Sequence, residues 1–197
     1  MIVPTQLLSD LNLVDEKDAI AHLAKAERML VIGNAGTGKS TLAQALARSL
    51  DLRYLSMDRD FFWRPGWRLR PRPEIGRLIA DAAAEPRWIM DGNSPGSLPV
   101  RLARADLIIF RCPPRRVALS GVLRRWWRYR GRSRPEMADG CTEKIDLEFL
   151  RYIWNFDAVE VPEILAMIAA HRPDIPVIPL KSYAEGDNLL VLLGQRH

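Results

Sequence analysis

The chain has 197 residues, a formal net charge of +5 and an apolar fraction of 48%, which suits one domain, or one domain with a mobile insert, and is enough to bury a full core. No run approaches the roughly 18 apolar residues that cross a bilayer, and no signal peptide is evident, so we expect a cytoplasmic protein without a membrane partner. The basic balance suits a nucleotide or a nucleic acid equally well.

The first predicted elements are a short helix over residues 16–26 and an apolar strand over residues 29–32. The strand leads into a glycine-rich loop and then a helix, which is the context of a phosphate-binding loop. Its glycines allow successive backbone N–H groups to converge on an anion at the positive end of the helix. We therefore predict a nucleotide-binding loop that consists of Gly33, Asn34, Ala35, Gly36, Thr37, Gly38, Lys39, Ser40 and Thr41.

Two side chains of this loop have predicted chemical roles. Lys39 can reach the β- and γ-phosphate oxygens, and Ser40 can offer its hydroxyl to Mg²⁺. A glycine-rich turn that binds nothing is the competing interpretation, but the flanking strand and helix argue against it. The expected cofactors are therefore ATP and Mg²⁺.

A second strand over residues 53–57 ends at two carboxylates, Asp58 and Asp60. Ligands of an open parallel sheet collect outside the carboxyl ends of its strands, so both aspartates are expected beside the phosphate-binding loop. One of them could hold a magnesium-bound water or orient an acceptor hydroxyl, and we favour Asp58. The alternative is that Asp58 caps the following turn.

Aromatic residues and arginines alternate over residues 61–70. Such a stretch can sandwich a flat ring and pair with its phosphates. A hydrophobic cluster beneath a long connection, with solvated arginines, explains the aromatics nearly as well. We define residues 58–73 as the acceptor segment and predict that Phe62, Trp63 and Trp67 bind the acceptor.

The third predicted strand, over residues 88–90, delivers Asp91 to the same rim of the sheet. A carboxylate in that place is what the second magnesium-organising position of a phosphate-loop enzyme needs. A plain Asp-Gly turn is the alternative. A helix that starts at Pro73 and stops near Pro86 precedes this strand, and a short helix over residues 98–105 follows it and bears Arg101, a further candidate for acceptor binding.

A fourth strand over residues 106–110 precedes a helix that begins near Arg115, and its continuous apolar pattern is typical of a sheet covered on both faces. Arginines crowd the end of that helix and the polar loop after it. We define residues 124–143 as the lid segment, because a lid that closes over a triphosphate needs such donors. A nucleic-acid-binding helix and a solvated basic face are the alternatives. The arginines are Arg124, Arg125, Arg128, Arg130, Arg132 and Arg134.

In the C-terminal third, the apolar spacing predicts a helix over residues 146–156. Pro162 is expected to open or kink a further helix. A fifth strand over residues 176–180 contains prolines that place it near a sheet edge, and a closing helix covers residues 187–193. Lys181, Ser182 and Tyr183 leave the fifth strand on the binding rim. The chain therefore predicts a three-layer α/β fold with a five-stranded parallel sheet and helices on both faces.

The motif order GNAGTGKST, MDRDFFWRPGW, WIMDGN, RLARADLIIFRCPP, GRSRPEMADGC, EKIDLEFLRYIWNF and PLKS resembles that of the adenylate-kinase-like P-loop proteins called DNA topology modulation proteins. The likeness spans about residues 28–183. It implies a P-loop NTPase fold with a nucleoside-kinase-type core, a short acceptor segment and a lid. It further implies that Asp91 helps to order the metal, that Arg124 and Arg128 begin the lid, and that Arg132 or Arg134 lies within it.

The chain departs from adenylate kinase in two places. The long acceptor helices are absent between Asp58 and Trp88, and the usual Gly-Phe-Pro-Arg after the third strand is replaced by Gly92-Asn93-Ser94-Pro95. AMP is therefore not the expected acceptor.

These patterns together predict an ATP- and Mg²⁺-dependent phosphotransferase that acts on a small molecule or a nucleotide. Lys39, Ser40, Asp91 and the lid arginines would organise the transfer, and Asn93 would contact the acceptor near Asp58. One alternative is a regulatory protein that binds DNA through residues 115–134 and uses nucleotide as a switch. Another is a slow NTPase without an acceptor. We expect a monomer or a homodimer formed from a single domain over residues 1–197.

Overall fold

A computed structural model describes residues 11–195. Within that range the strands are β1 (Asn12–Leu13), β2 (Arg28–Gly33), β3 (Arg53–Ser56), β4 (Trp63–Arg64), β5 (Arg68–Leu69), β6 (Trp88–Asp91), β7 (Leu107–Arg111) and β8 (Pro176–Leu180). Six of them form one sheet in the order β1-β8-β7-β2-β6-β3, and all its neighbouring strands run parallel. β4 and β5 form a separate antiparallel hairpin.

Helices cover both faces of this sheet. They are α1 (Glu16–Lys25), α2 (Lys39–Leu50), α3 (Arg72–Ala84), α4 (Leu98–Leu102), α5 (Arg115–Arg128), α6 (Leu147–His171) and α7 (Tyr183–Gly194), with a π-helical turn over Met57–Phe62 and a 3₁₀ turn over Pro95–Ser97. None of the helices in residues 11–195 has the length and apolarity that a bilayer crossing requires.

The central strand β2 shows why the sheet lies between two helical layers. Its side chains alternate between two buried clusters: Leu30 and Ile32 pack with α3, α4 and α6, whereas Met29 and Val31 pack with α1, α2 and α7. Side chains of a strand point alternately to opposite faces, so a strand that is apolar at every position must be covered on both. The predicted three-layer α/β arrangement is thus present.

The sheet has six strands, so the prediction of five was wrong. The additional strand is β1, which pairs with β8 at Asn12↔Pro176 and Leu13↔Val177. It consists of two exposed residues, too short for an apolar period to appear in the sequence. β8 therefore lies second from the edge, which agrees with its predicted place near a sheet edge.

Two further elements differ from the sequence-based expectation. α6 continues for 25 residues through Pro162, because proline removes one N–H donor while the buried residues on both sides hold the helix against the sheet. The acceptor segment is not an irregular loop: it contains the π-helical turn, the β4–β5 hairpin and the start of α3.

Candidate functional site

The carboxyl ends of β2, β3 and β6 meet at one rim of the sheet. Register places Asp91 beside both Val31 and Ser56, and the phosphate-binding loop follows β2 directly. A cavity of about 720 Å³ opens at this rim, and it is bordered by the phosphate-binding loop, the acceptor segment, the lid segment and the start of α6. The sequence elements that were predicted to share a site therefore surround one space.

The phosphate-binding loop has the backbone geometry that its glycines predict. Gly33, Gly36 and Gly38 have φ angles of 135°, 73° and 79°, values that residues with a side chain rarely adopt. At Gly33 there is also no room, since a Cβ would lie 2.0 Å from the carbonyl oxygen of Arg111. α2 begins immediately after Gly38, so the loop ends at a helix N-terminus, where anions bind.

Asparagine side chains fix the start of the loop. Asn93 accepts a hydrogen bond from the N–H of Gly33 at 3.0 Å and donates to the Gly33 carbonyl oxygen at 2.7 Å. The buried Asn34 donates through Nδ2 to the carbonyl oxygen of Ile153 at 2.8 Å. Asn93 lines the cavity. Because the oxygen and the nitrogen of its side-chain amide both bond to Gly33 at the end of β2, it has a positioning role besides the predicted contact with an acceptor.

A buried arginine fixes the other end of the loop. Arg111 donates from Nε and Nη2 to the Thr37 carbonyl oxygen at 2.9 and 2.6 Å, and from Nη1 to that of Ser182 at 3.0 Å. The hydroxyl of Tyr183 donates to the carbonyl oxygen of Gly36. Three side chains from outside the loop, and the bond of Asn34 to α6, therefore hold the loop in place, so little ordering is needed when a phosphate binds.

Lys39 is half-buried at the end of this loop and lines the cavity. Its ammonium donates to the carbonyl oxygen of Asn34 at 2.7 Å. Burial lowers the pKa of Lys39 to about 8, an effect that Asp91 and Asp58 partly oppose. The Lys39 side chain is thus charged at neutral pH, but it loses its proton more readily than an exposed lysine does. A bound phosphate would favour the charged form again.

Asp91 is the buried carboxylate of the site, with 4% of its surface exposed. Its Oδ2 accepts a hydrogen bond from the Tyr54 hydroxyl at 3.1 Å, whereas Oδ1 is buried without a hydrogen-bond partner among the described residues. Burial raises the pKa of Asp91, while Lys39 and Ser40 lower it. An unpartnered carboxylate oxygen close to a serine hydroxyl fits a hard cation such as Mg²⁺, which takes oxygen ligands.

The two aspartates of the acceptor segment have different surroundings. Asp60 accepts from the N–H of Ser56 at 2.7 Å and forms an ion pair with Arg59 at 2.9 Å, so it stabilises the turn. Ser56 caps that turn by accepting from the N–H of Arg59. Asp58 is half-buried and lines the cavity, which makes it the aspartate that can face an acceptor.

The lid segment packs against the acceptor segment. The N–H of Gly66 donates to the Asp139 carbonyl oxygen at 3.0 Å, and Ser56 donates through its hydroxyl to that of Glu136 at 2.9 Å. Trp63 and Trp67 pack on a small buried cluster that consists of Met137, Ala138 and Cys141. Both tryptophans also line the cavity, so the predicted hydrophobic cluster and the predicted ring-binding surface are one structure.

An acidic residue of the lid segment holds two of its arginines. Glu143 forms ion pairs with Arg125, at 3.1 Å, and with Arg134, and its side chain is 4% exposed. Burial and the neighbouring Arg134 both lower the pKa of Arg125. Arg125 and Arg134 line the cavity together with the exposed Arg124 and Arg128, so four of the lid arginines face the space above the phosphate-binding loop.

Several predicted site residues lie outside the cavity wall. Phe62 packs against the core beneath α3 and α6. Arg101 is fully buried and donates to the carbonyl oxygens of Gly92 and Ser94 at 3.0 and 3.1 Å, which shapes the turn after β6. Arg132 is exposed. Ser182, which follows Lys181, caps α7 by accepting from the N–H of Glu185. Binding roles for these residues remain predictions.

Sequence reasoning missed three residues of the site: Tyr54, Arg111 and Glu143. Tyr54 and Arg111 act on partners far along the chain, as Arg111 does on Thr37, 74 residues away. The sequence indicates no role for Gly121 beyond its place in the helix that begins near Arg115. In the structure, α5 can approach the phosphate-binding loop because this position lacks a side chain. A Cβ there would lie 2.0 Å from the Gly36 carbonyl oxygen. A glycine inside an otherwise ordinary helix was the available signal.

Comparisons with known proteins support a kinase-type fold. The family model described as "ATPase family associated with various cellular activities (AAA)" matches residues 29–89. The chain is similar to the solved structure of a shikimate kinase from Acinetobacter baumannii in complex with shikimate, with a TM-score of 0.56, 14% identity and coverage of 90% of this chain and 96% of that one. For a shikimate kinase from Bacteroides thetaiotaomicron these values are 0.47, 14%, 87% and 98%.

A comparison with curated proteins gives no match. The likeness to the Acinetobacter structure concerns the fold alone: an α/β fold with a parallel sheet flanked by helices, as in P-loop kinases. A fold of this kind hosts many different reactions, so the activity has to be argued from the site.

Proposed function

We propose that the protein is an ATP- and Mg²⁺-dependent phosphotransferase that acts on a small-molecule acceptor. The observation that carries this proposal is the buried Asp91, whose Oδ1 is unpartnered within residues 11–195, in one cavity with Lys39, Ser40 and Asp58. The cavity volume of about 720 Å³ is in the range of small-molecule and cofactor sites. Positioning and charge stabilisation supply most of the catalysis in phosphoryl transfer, and these residue types provide both.

The residues divide into two groups by what they would do. Lys39 and the loop N–H groups bind the β- and γ-phosphates, and the lid arginines Arg124 and Arg128 contact the phosphoryl oxygens from the opposite side. Asp91 and Ser40 would hold Mg²⁺, which would neutralise negative charge on the phosphates.

Asp58 takes the acceptor side of this scheme. Its carboxylate accepts the hydroxyl proton of the acceptor while that oxygen forms the new bond to the γ-phosphorus, and the bond from this phosphorus to ADP breaks. Asp58 lines the same cavity as Lys39, so the acceptor hydroxyl can approach the γ-phosphate from the side opposite the leaving group.

Binding and turnover of MgATP test this proposal. Lys39→Met is expected to lower phosphoryl transfer about a hundredfold or more, because one charge aimed at the transferring group is lost. Arg48→Gln is the matched control: it removes one positive charge from an exposed position on the same helix and should leave transfer unchanged. Protein that binds no MgATP, or in which Lys39→Met transfers as well as the native chain, refutes the proposal.

A DNA-binding regulatory protein is the second candidate, and one observation favours it. Trp127 is 74% exposed on α5, near the exposed Arg124, Arg128 and Arg130, an arrangement that could lie along a nucleic-acid backbone. This candidate predicts duplex affinity that falls steeply with salt and with Arg128→Gln; no affinity at moderate ionic strength excludes it. Phosphate release that no acceptor stimulates would instead indicate the slow NTPase.

A further inference from the structure

We propose that the acceptor is an uncharged alcohol built on a ring, without a phosphate or a carboxylate group. The inference rests on the proposed function and concerns the acceptor side of the same cavity. Three features carry it: arginines that are already paired, a wall of aromatic side chains, and carboxylates that face the cavity.

The arginines of the acceptor segment are occupied by the protein itself. Arg59 pairs with Asp60 at 2.9 Å, and Arg64 and Arg70 both pair with Glu74, at 2.6 and 2.9 Å. None of these three lines the cavity. The alternation of arginines with aromatics predicted that they bind acceptor phosphates, but each would first have to break the ion pair that it forms within the protein.

Aromatic rings form much of the wall on this side. Trp63 and Trp67 meet edge to face with their ring centroids 5.1 Å apart, and Phe149 and Tyr152 lie nearly parallel at 6.4 Å on α6. All four line the cavity, together with Met137. Surfaces of this kind bind the apolar face of a ring, and they offer an anion no compensation for lost water.

The charged groups beside these rings disfavour an anion. Asp58 and Glu136 both line the cavity, and Glu136 is oriented by a hydrogen bond from Gln44 at 2.7 Å. Lys144 is the cation beside the aromatic wall among the described residues, and it is exposed and stacks on Trp67 at 5.5 Å. With Asp146, which also lines the cavity beside Lys144, three carboxylates stand against this lysine. They disfavour an anionic acceptor, while each can accept hydrogen bonds from hydroxyl groups.

The arginines of the cavity belong to its nucleotide side. Arg124 and Arg128 project from α5, the helix that approaches the phosphate-binding loop at Gly121. Arg125 and Arg134 are paired with Glu143. Each of the four cavity arginines is therefore either paired with Glu143 or carried by α5, the helix beside the phosphate-binding loop.

Matched pairs of acceptors test this inference. Each pair has an uncharged member and an anionic analogue: a nucleoside with its 5′-monophosphate, and a cyclohexane polyol with a polyhydroxy cyclohexane carboxylate. We measure the thermal shift of the full chain with Mg²⁺ and a non-hydrolysable ATP analogue, and ADP formation with ATP. The uncharged member of at least one pair should bind at least tenfold more tightly than its analogue. Tighter binding of the anionic member, or no binding of any uncharged member at millimolar concentration, overturns the inference.

Charge variants provide a second test. A purely structural role of Glu136 would not change the preference between the uncharged and the anionic member of a pair. Glu136→Gln should reduce the preference for the uncharged member severalfold, because it removes one repulsive carboxylate. Asp139→Asn makes the same charge change at an exposed lid residue outside the cavity wall and should leave the preference unaltered. An equal effect of both variants contradicts the inference. Loss of MgATP binding would refute the proposed function, whereas transfer to an anionic acceptor would refute only this inference.

Discussion

Replacement of Gly121 with alanine should displace the phosphate-binding loop. The new Cβ would lie 2.0 Å from the carbonyl oxygen of Gly36 and 2.7 Å from the Tyr183 hydroxyl oxygen, and real Cβ contacts essentially never fall below 3.0 Å. Because Gly36 is a loop backbone group, either the loop or α5 must move. The hydrogen bond from Tyr183 to Gly36 would be lost in the process.

The expected magnitude follows from two opposing effects. Alanine is favoured over glycine in a helix by about 1 kcal/mol, whereas overpacking costs about 1–3 kcal/mol. The free energy of unfolding should therefore fall by about 0–2 kcal/mol on these figures. Displacement of the loop should lower MgATP affinity about tenfold, which corresponds to about 1.4 kcal/mol of binding free energy.

Urea unfolding and calorimetric titration with MgATP measure these two changes. Gly76→Ala on α3 is the matched control, since its Cβ would meet nothing within 4 Å; it should raise stability by up to about 1 kcal/mol and leave MgATP affinity unchanged. If Gly121→Ala stabilises the protein as Gly76→Ala does and binds MgATP normally, the contact with α5 does not hold the phosphate-binding loop in position, and the prediction is wrong.

Three further predictions follow from the charged groups of the site. Arg111→Lys cannot reproduce the donors to Thr37 and Ser182, so urea unfolding should show a loss of about 1–3 kcal/mol; an unchanged midpoint would contradict this. Since burial lowers the pKa of Lys39 to about 8, the ammonium that binds phosphate is lost above that pH. Titrations should then show MgATP affinity falling by up to about tenfold per pH unit, whereas Lys39→Met should show a flat profile. Equal slopes for the two proteins would refute the assignment. Glu143→Gln should free Arg125 and Arg134 for phosphate, which tightens MgATP binding severalfold while lowering stability, and weaker binding would argue against competition.

The sequence predicted those features that depend on local pattern. The continuous apolar run of β2 and the glycines at residues 33, 36 and 38 were sufficient to place a phosphate-binding loop after a buried strand. The rim position of Asp91 followed from the parallel sheet. β1 could not be predicted because its two exposed residues carry no periodic signal; only pairing with a distant β8 makes them a strand.

Roles that depend on distant partners were beyond sequence reasoning. Arg101 and Arg111 look like any other arginines in the chain, yet both are buried and donate to backbone carbonyl oxygens. Similarly, Asp58 and Asp60 are equivalent by position, and only the hydrogen bond from Ser56 and the ion pair with Arg59 separate them. The type of each side chain can be read from the sequence, but its hydrogen-bond or ion-pair partner is visible only in the structure.

Transfer of the γ-phosphoryl group from MgATP to an uncharged ring alcohol is the reaction that this cavity should perform, and its stoichiometry can be followed directly with γ-labelled ATP. In the native protein, labelled product should form in equal amount to ADP, and Lys39→Met should form neither at a comparable rate. A native protein that binds no MgATP, or that transfers label equally well without Lys39, would contradict the assignment of a phosphotransferase site at this rim of the sheet.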